Sequence, residues 1–140
     1  MTIVVADDDD DDREMTRDAF MESRIATPLV FVSDGVELLE YLRAAAAAED
    51  AAVALPALVL LDLNMPRVDG PQALLQIRAD PKLRHLPVVV LTTSKSDQDV
   101  LKCYQGGANS FITKPVSFQG LIDVVRALDR YWFNLVALPD

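Results

Sequence analysis

The chain holds a single cysteine, Cys103, so it cannot close a disulfide within itself. A reducing, cytoplasmic setting is the expectation. No apolar run reaches the ~18 residues that a membrane span needs. The start lacks the basic residues and apolar stretch of a secretory signal. Only one histidine is present, His85, so no second imidazole can share a metal with it. Its place just before an apolar run reads as surface loop. Basic residues are scarce: 13 Lys and Arg stand against 22 Asp and Glu, a net charge of −9. Such a chain is a poor binder of nucleic acid or of an anionic membrane.

What is present argues for one packed domain. The 140 residues are 51% hydrophobic, which excludes a disordered chain. The acidity is local. Six of the negatives form one run, Asp7 to Asp12, and the rest of the chain carries only −3.

Five short apolar runs punctuate the sequence: Ile3–Ala6, Leu29–Val32, Leu58–Leu61, Val88–Leu91 and Ser110–Ile112. They are rich in Val, Ile and Leu without polar alternation, as strands buried on both faces are. Each gap between them carries helix signals. Asp residues crowd the first, with Met15, Ala19 and Phe20 as its apolar side. Gly35 opens the second, which runs into Ala44–Ala48; the Ala-rich stretch 44–54 reads as helix end and surface loop. The third begins after Asp69-Gly70 with Pro71, and Leu74 and Ile77 share a face. The fourth follows Ser96-Asp97 and stops at Gly106-Gly107. The fifth starts near Ser117 and sets Phe118, Leu121, Ile122, Val125 and Leu128 on one stripe. Cys103, in the fourth, reads as packing. Strand and helix alternating five times predict a parallel sheet with helices on both faces and right-handed crossovers. In such a sheet the working site lies outside the carboxyl ends of the strands.

The residues at those ends are Asp7 and Asp8, Asp62 followed by Leu63-Asn64-Met65-Pro66, Thr92, and Lys114 followed by Pro115. Three carboxylates, a hydroxyl and an amine thus converge on one rim. Two carboxylates 4 Å apart repel by ~4 kcal/mol at an effective dielectric of 20. A cation between them relieves this, and an all-oxygen site suits Mg²⁺. Asp8, Asp62 and the backbone carbonyl of Asn64 are the expected direct ligands, with Asp7 acting through water. Mg²⁺ and Lys114 would offset the charge that builds up when a carboxylate attacks a phosphoryl group, and Thr92 can donate to a phosphoryl oxygen. The expected product is an aspartyl phosphate on Asp62.

The sequence resembles the response-regulator receiver domain, the phospho-acceptor of two-component signalling, over roughly residues 2–130. The motifs are Asp7-Asp8 after a strand, Leu-Leu-Asp62-Leu-Asn-Met-Pro, Leu91-Thr92-Thr93-Ser94 and Phe111-Ile112-Thr113-Lys114-Pro115. The resemblance implies a flavodoxin-like, doubly wound (βα)5 α/β fold with strand order 2-1-3-4-5. It implies a receiver domain over residues 1–131 and an apolar tail over 132–140. It makes Asp62 the phosphoacceptor, Thr92 the switch hydroxyl, Lys114 the motif lysine and Phe111 the aromatic that changes rotamer with them. It implies a sensor histidine kinase as phosphoryl donor. The Ala-rich stretch, Thr-Thr-Ser and the tail Tyr131-Trp132-Phe133-Asn134-Leu135-Val136-Ala137-Leu138-Pro139 also resemble single-domain regulators paired with bacterial phytochromes. That implies a light-regulated kinase and no attached DNA-binding domain. The subgroup often has Glu where Asp7 stands and Pro where Asp10 stands, so Asp10 to Asp12 are extra negatives.

Plainer readings stand beside these. The Asp run could be a disordered acidic tract or an independent cation trap; the strand before it and the apolar residues after it favour a pocket pair, Asp7-Asp8, with the rest capping a helix. Asp62 could be a loop cap, Lys114 a surface lysine, Phe111 simple core. The motif set could serve a Mg²⁺-dependent phosphohydrolase, but such enzymes place an acid where Asn64 stands. It could survive in a phosphate-independent binding module, which a full set of site residues disfavours. The apolar tail must be covered. It either folds back on its own domain or joins the fifth helix in a homodimer, through Leu121, Val125, Tyr131, Trp132, Phe133 and Leu135; the dimer is the expectation.

Overall fold

The computed structural model describes residues 2–48, 55–93 and 96–135, the last three of these by backbone alone. Five parallel strands form one sheet in the order β2-β1-β3-β4-β5, as the resemblance implies. They are β1 (Ile3–Ala6), β2 (Leu29–Val32), β3 (Leu58–Leu61), β4 (Val88–Thr92) and β5 (Ser110–Thr113). The inner strands β1, β3 and β4 are buried throughout, whereas the edge strands β2 and β5 are mostly half-buried. Unbroken Val, Ile and Leu suit a strand covered on both faces. β4 and β5 each run one residue beyond the apolar stretch, into Thr92 and Thr113. A threonine ends an apolar run without ending a hydrogen-bond ladder.

The helices are α1 (Asp10–Glu22), α2 (Gly35–Ala47), α3 (Gly70–Ala79), α4 (Asp97–Gln105) and α5 (Phe118–Asp129). Each starts from a side-chain cap: Asp9, Asp34, Asp69, Ser96 and Ser117 accept from backbone N–H groups of the first turn. The caps fix where each chain segment turns from strand exit into helix.

Two core layers result. Val4, Ala6, Leu38, Leu42, Val59, Leu61, Leu74 and Ile77 fill the space under α2 and α3. Val5, Phe20, Leu60, Val89, Leu91, Leu121, Val125 and Trp132 fill the opposite face, under α1 and α5. A smaller cluster of Leu63, Val90 and Cys103 lies by α4. Each fully buried aliphatic side chain contributes roughly 1.5–3 kcal/mol.

Three expectations need correction. Met15 is 37% exposed; α1 turns Thr16, Ala19 and Phe20 inward, and one residue along a helix is ~100° of rotation. Phe118 is 40% exposed because it is the first residue of α5, beyond the edge of the packed layer. The third is the tail. α5 runs on as a π-helical turn over Arg130–Leu135. Trp132 stacks edge-on against Tyr131, with centroids 5.3 Å apart, and packs into the chain's own core. Leu121 and Val125 lie in that same core. These three side chains are mostly buried within the domain itself, where the sequence reading placed them on an exposed seam. Tyr131 remains exposed. The side chains of Phe133 and Leu135, and residues Val136–Pro139, lie outside the described residues, as do Ser94 and positions 49–54.

At the end of the sheet away from the strand exits, Arg78 near the close of α3 donates to the carbonyls of Gly107 (2.9 Å), Arg84 (3.0 Å) and Leu86 (2.7 Å) and to Asn109 Oδ1 (3.1 Å). Burial pushes its pKa down from the usual guanidinium value.

Candidate functional site

The strand register aligns the exits. Ala6 pairs with both Val32 and Leu61, and Leu61 with Val90. The ladder then runs on into the site residues themselves. Asp7 N–H donates to Val32 O (3.0 Å), Asp62 N–H to Ala6 O (3.0 Å) and Lys114 N–H to Thr92 O (2.7 Å). Strand hydrogen bonding therefore places the backbones of the two inner acids and the lysine.

Carboxylate oxygens of Asp7, Asp8 and Asp62 all lie within 4.8 Å of one another, with Asp7 buried, Asp62 half-buried and Asp8 exposed. Asp7 Oδ1 accepts from Asp9 N–H (3.0 Å). Its Oδ2 accepts from Lys114 Nζ (2.6 Å). Asp62 Oδ1 accepts from Leu63 N–H (2.8 Å), and its Oδ2 lies 3.7 Å from Lys114 Nζ. Burial raises the Asp7 carboxyl above its ordinary pKa, and the Asp62 charge adds to this; Lys114 and Asp9 only partly offset it. Burial works against the Lys114 charge, but Asp7, Asp62 and Asp12 outweigh it and its pKa rises.

The donor set fits a hard cation. Opposite oxygens around Mg²⁺ lie about 4 Å apart, so small side-chain shifts, or one water in place of a direct bond, close the difference. Asn64 follows in the loop after β3 with its side chain exposed. Thr92 is fully buried at the end of β4. Phe111 is half-buried against the Leu63, Val90 and Cys103 cluster, and its N–H donates to the Tyr104 hydroxyl (3.1 Å). Cys103 is buried, and His85 is exposed in the turn before β4.

Four features were not foreseen. Asp12, set aside as an extra negative, accepts from Lys114 Nζ at 3.0 Å. Arg13 reaches back to donate to the Asp7 carbonyl (2.7 Å) and the Ser33 hydroxyl (3.2 Å), and it pairs with Asp10. Asp34 is buried and takes a two-pronged ion pair from Arg67 (2.9 and 3.1 Å), tying the loop after Asp62 to the start of α2. Gly70 sits against Asp62: a Cβ there would come within 2.4 Å of the Asp62 carbonyl oxygen. The sequence marks Asp69-Gly70 as a helix start but gives no sign of the contact with Asp62.

Comparison with known proteins agrees with this geometry. Residues 3–126 match the response regulator receiver domain family. The response regulator Rcp1 of Synechocystis is 32% identical over 137 residues, covering 98% of this chain and 92% of that protein. A structure of the Mn²⁺-bound form of a response regulator Rcp1 superposes with a TM-score of 0.85, covering 99% of each chain. The phosphorylated cyanobacterial phytochrome response regulator RcpA, 34% identical, superposes with a TM-score of 0.88 over 99% of this chain and 98% of its own. RPA3017, a response regulator in red light signalling of R. palustris, is 34% identical with a TM-score of 0.89, over 100% of this chain and 99% of its own. A sheet of this order, with its acids and lysine gathered at the strand exits, and relatives spanning nearly the whole chain have one common reading: this protein belongs to the response regulator receiver domain family.

Proposed function

We propose that Asp62 takes a phosphoryl group from the phosphohistidine of a sensor histidine kinase. One observation carries the reading: Asp62 has one oxygen fixed by a backbone N–H and the other turned toward Lys114, with two further acids beside it. An Asp62 oxygen attacks phosphorus as the P–N bond to the donor imidazole breaks. The nitrogen keeps the electron pair and takes a proton from water, and a mixed anhydride remains on Asp62. Asp8, Asp62 and the Asn64 carbonyl would hold Mg²⁺, with Asp7 through water. When bound, that ion supplies positive charge between two anionic reactants. Lys114 offsets charge on the other side, and the Thr92 hydroxyl donates to a phosphoryl oxygen. Phe111 follows that movement from its place against Leu63.

The phosphoryl group is then lost slowly to water, because Asn64 offers no acid or base where a hydrolase needs one. The domain acts as a switch rather than as a turnover enzyme. Its similarity to phytochrome and red-light regulators supports a bacteriophytochrome as the kinase. A cytoplasmic setting for this protein is part of the proposal; among the described residues no helix is long and apolar enough to cross a membrane, and the one thiol is buried. A homodimer through α5 and the tail remains part of the proposal; Ile112, Val124, Leu128, exposed Tyr131 and an edge of Trp132 line a groove of about 220 Å³ there.

The test is transfer of labelled phosphate from a panel of histidine kinases, followed by size analysis with and without a phosphoryl mimic. Asp62→Asn is expected to abolish uptake. Label that persists at position 62 in this variant would end the proposal.

A further inference from the structure

We infer that Asp12 is a positioning residue that acts through Lys114, holding the ammonium toward α1 until a phosphoryl group on Asp62 draws it away. The inference rests on the reading of Asp62 as the phosphoacceptor. Three carboxylates compete for the Lys114 ammonium, at 2.6 Å (Asp7), 3.0 Å (Asp12) and 3.7 Å (Asp62). The first two are hydrogen bonds and the third is too long to be one. The Lys114 side chain is only 11% accessible, so water has little room to replace a lost partner.

The two hydrogen-bonded acids differ in what it costs to leave them. The Asp7 side chain is 3% accessible and fixed by Asp9 N–H. Deprived of Lys114, it would be a buried charge without a cation. The Asp12 side chain is 36% accessible and is replaced on water easily. Asp12 is therefore the partner that Lys114 can release. A phosphoryl group adds charge and acceptor oxygens on the Asp62 side, where the ammonium already lies close. The ammonium keeps Asp7 and exchanges Asp12 for phosphate. The first turn of α1, set by the Asp9 cap on the Asp11 and Asp12 N–H groups, loses its tie to the end of β5 in that exchange.

Asp11 supplies the control. It carries the same charge in the same turn and is exposed. Beryllofluoride with Mg²⁺ is the phosphoryl mimic, titrated by calorimetry into the full chain. Asp12→Asn is expected to bind it about two- to fivefold more tightly, since no ion pair is given up. Asp12→Glu is expected to return toward wild type, and Asp11→Asn to stay there. In a Lys114→Met background Asp12→Asn is expected to have no effect. Equal shifts for Asp11→Asn and Asp12→Asn, weaker binding by Asp12→Asn, or an effect that survives without Lys114 would each overturn the inference. Asp62→Asn run alongside is expected to lose the mimic; if it binds as wild type does, the phosphoacceptor reading fails first.

Discussion

Asp8 is the exposed member of the three acids, and it makes no structural hydrogen bond among those described. Its role is thus separable from folding. Asp8→Asn is expected to lower Mg²⁺ affinity about 10–100-fold while leaving the unfolding midpoint nearly unchanged; calorimetry and urea titration read the two quantities. Asp7, Asp8, Asp62, Thr92 and Lys114 could all be found in the sequence because each follows an apolar run, and a parallel sheet brings such positions to one rim. Asp12 could not. A run of identical residues has no phase, and only the first turn of α1 selects which carboxylate faces back to Lys114. The Asp34–Arg67 pair was hidden for a different reason: its members are 33 residues apart, and each looks like an ordinary loop charge. Arg67 takes its place with a positive φ of 64°, a turn geometry that the sequence does not announce for arginine.

The helices were legible in number and order because their caps are written in Asp and Ser. Their faces were less so. Met15, among the apolar residues that follow the Asp run, lies on the exposed side of α1, and α5 begins at Phe118 before it reaches the sheet. The start of α2 shows how one cap can serve two elements. Asp34 accepts from Glu37 N–H (2.8 Å) and from Arg67, while Gly35 N–H donates to Val68 O (3.0 Å). A Cβ on Gly35 would lie 2.1 Å from that oxygen, so only glycine allows the approach. Burial pushes the Asp34 carboxyl up, but the Glu37 N–H and the Arg67 guanidinium outweigh it, and its pKa falls below 3.8. A group depressed in this way adds stability above its unfolded pKa and loses it as pH falls through the folded one. Asp34→Ala is expected to cost about 1–3 kcal/mol at neutral pH, from the lost cap and the stranded N–H. The gap from wild type should narrow as the pH falls below 3.8. Urea unfolding of both proteins at neutral and acid pH measures it.

For the molecule as a whole, the tail decides how much of the domain is self-contained. An apolar end demanded a cover, and composition alone could not say whether this chain or another supplies it. The structure gives Trp132 to the layer beneath α1 and α5. Trp132→Ala is therefore expected to remove about 3–5 kcal/mol, as a large cavity in a core does. The loss should be the same in dilute and concentrated protein, which denaturation at two concentrations tests. A loss that appears only in concentrated samples would return this residue to an interface.

Arg78 has a consequence for how the sheet is held. Its guanidinium gathers acceptors from the segments that enter β4 and β5. Those strands are thereby clamped where they begin, while at the other end their pairing continues from Thr92–Thr113 into the Lys114 N–H. One guanidinium thus knots together the base of the sheet, at the end farthest from Asp62.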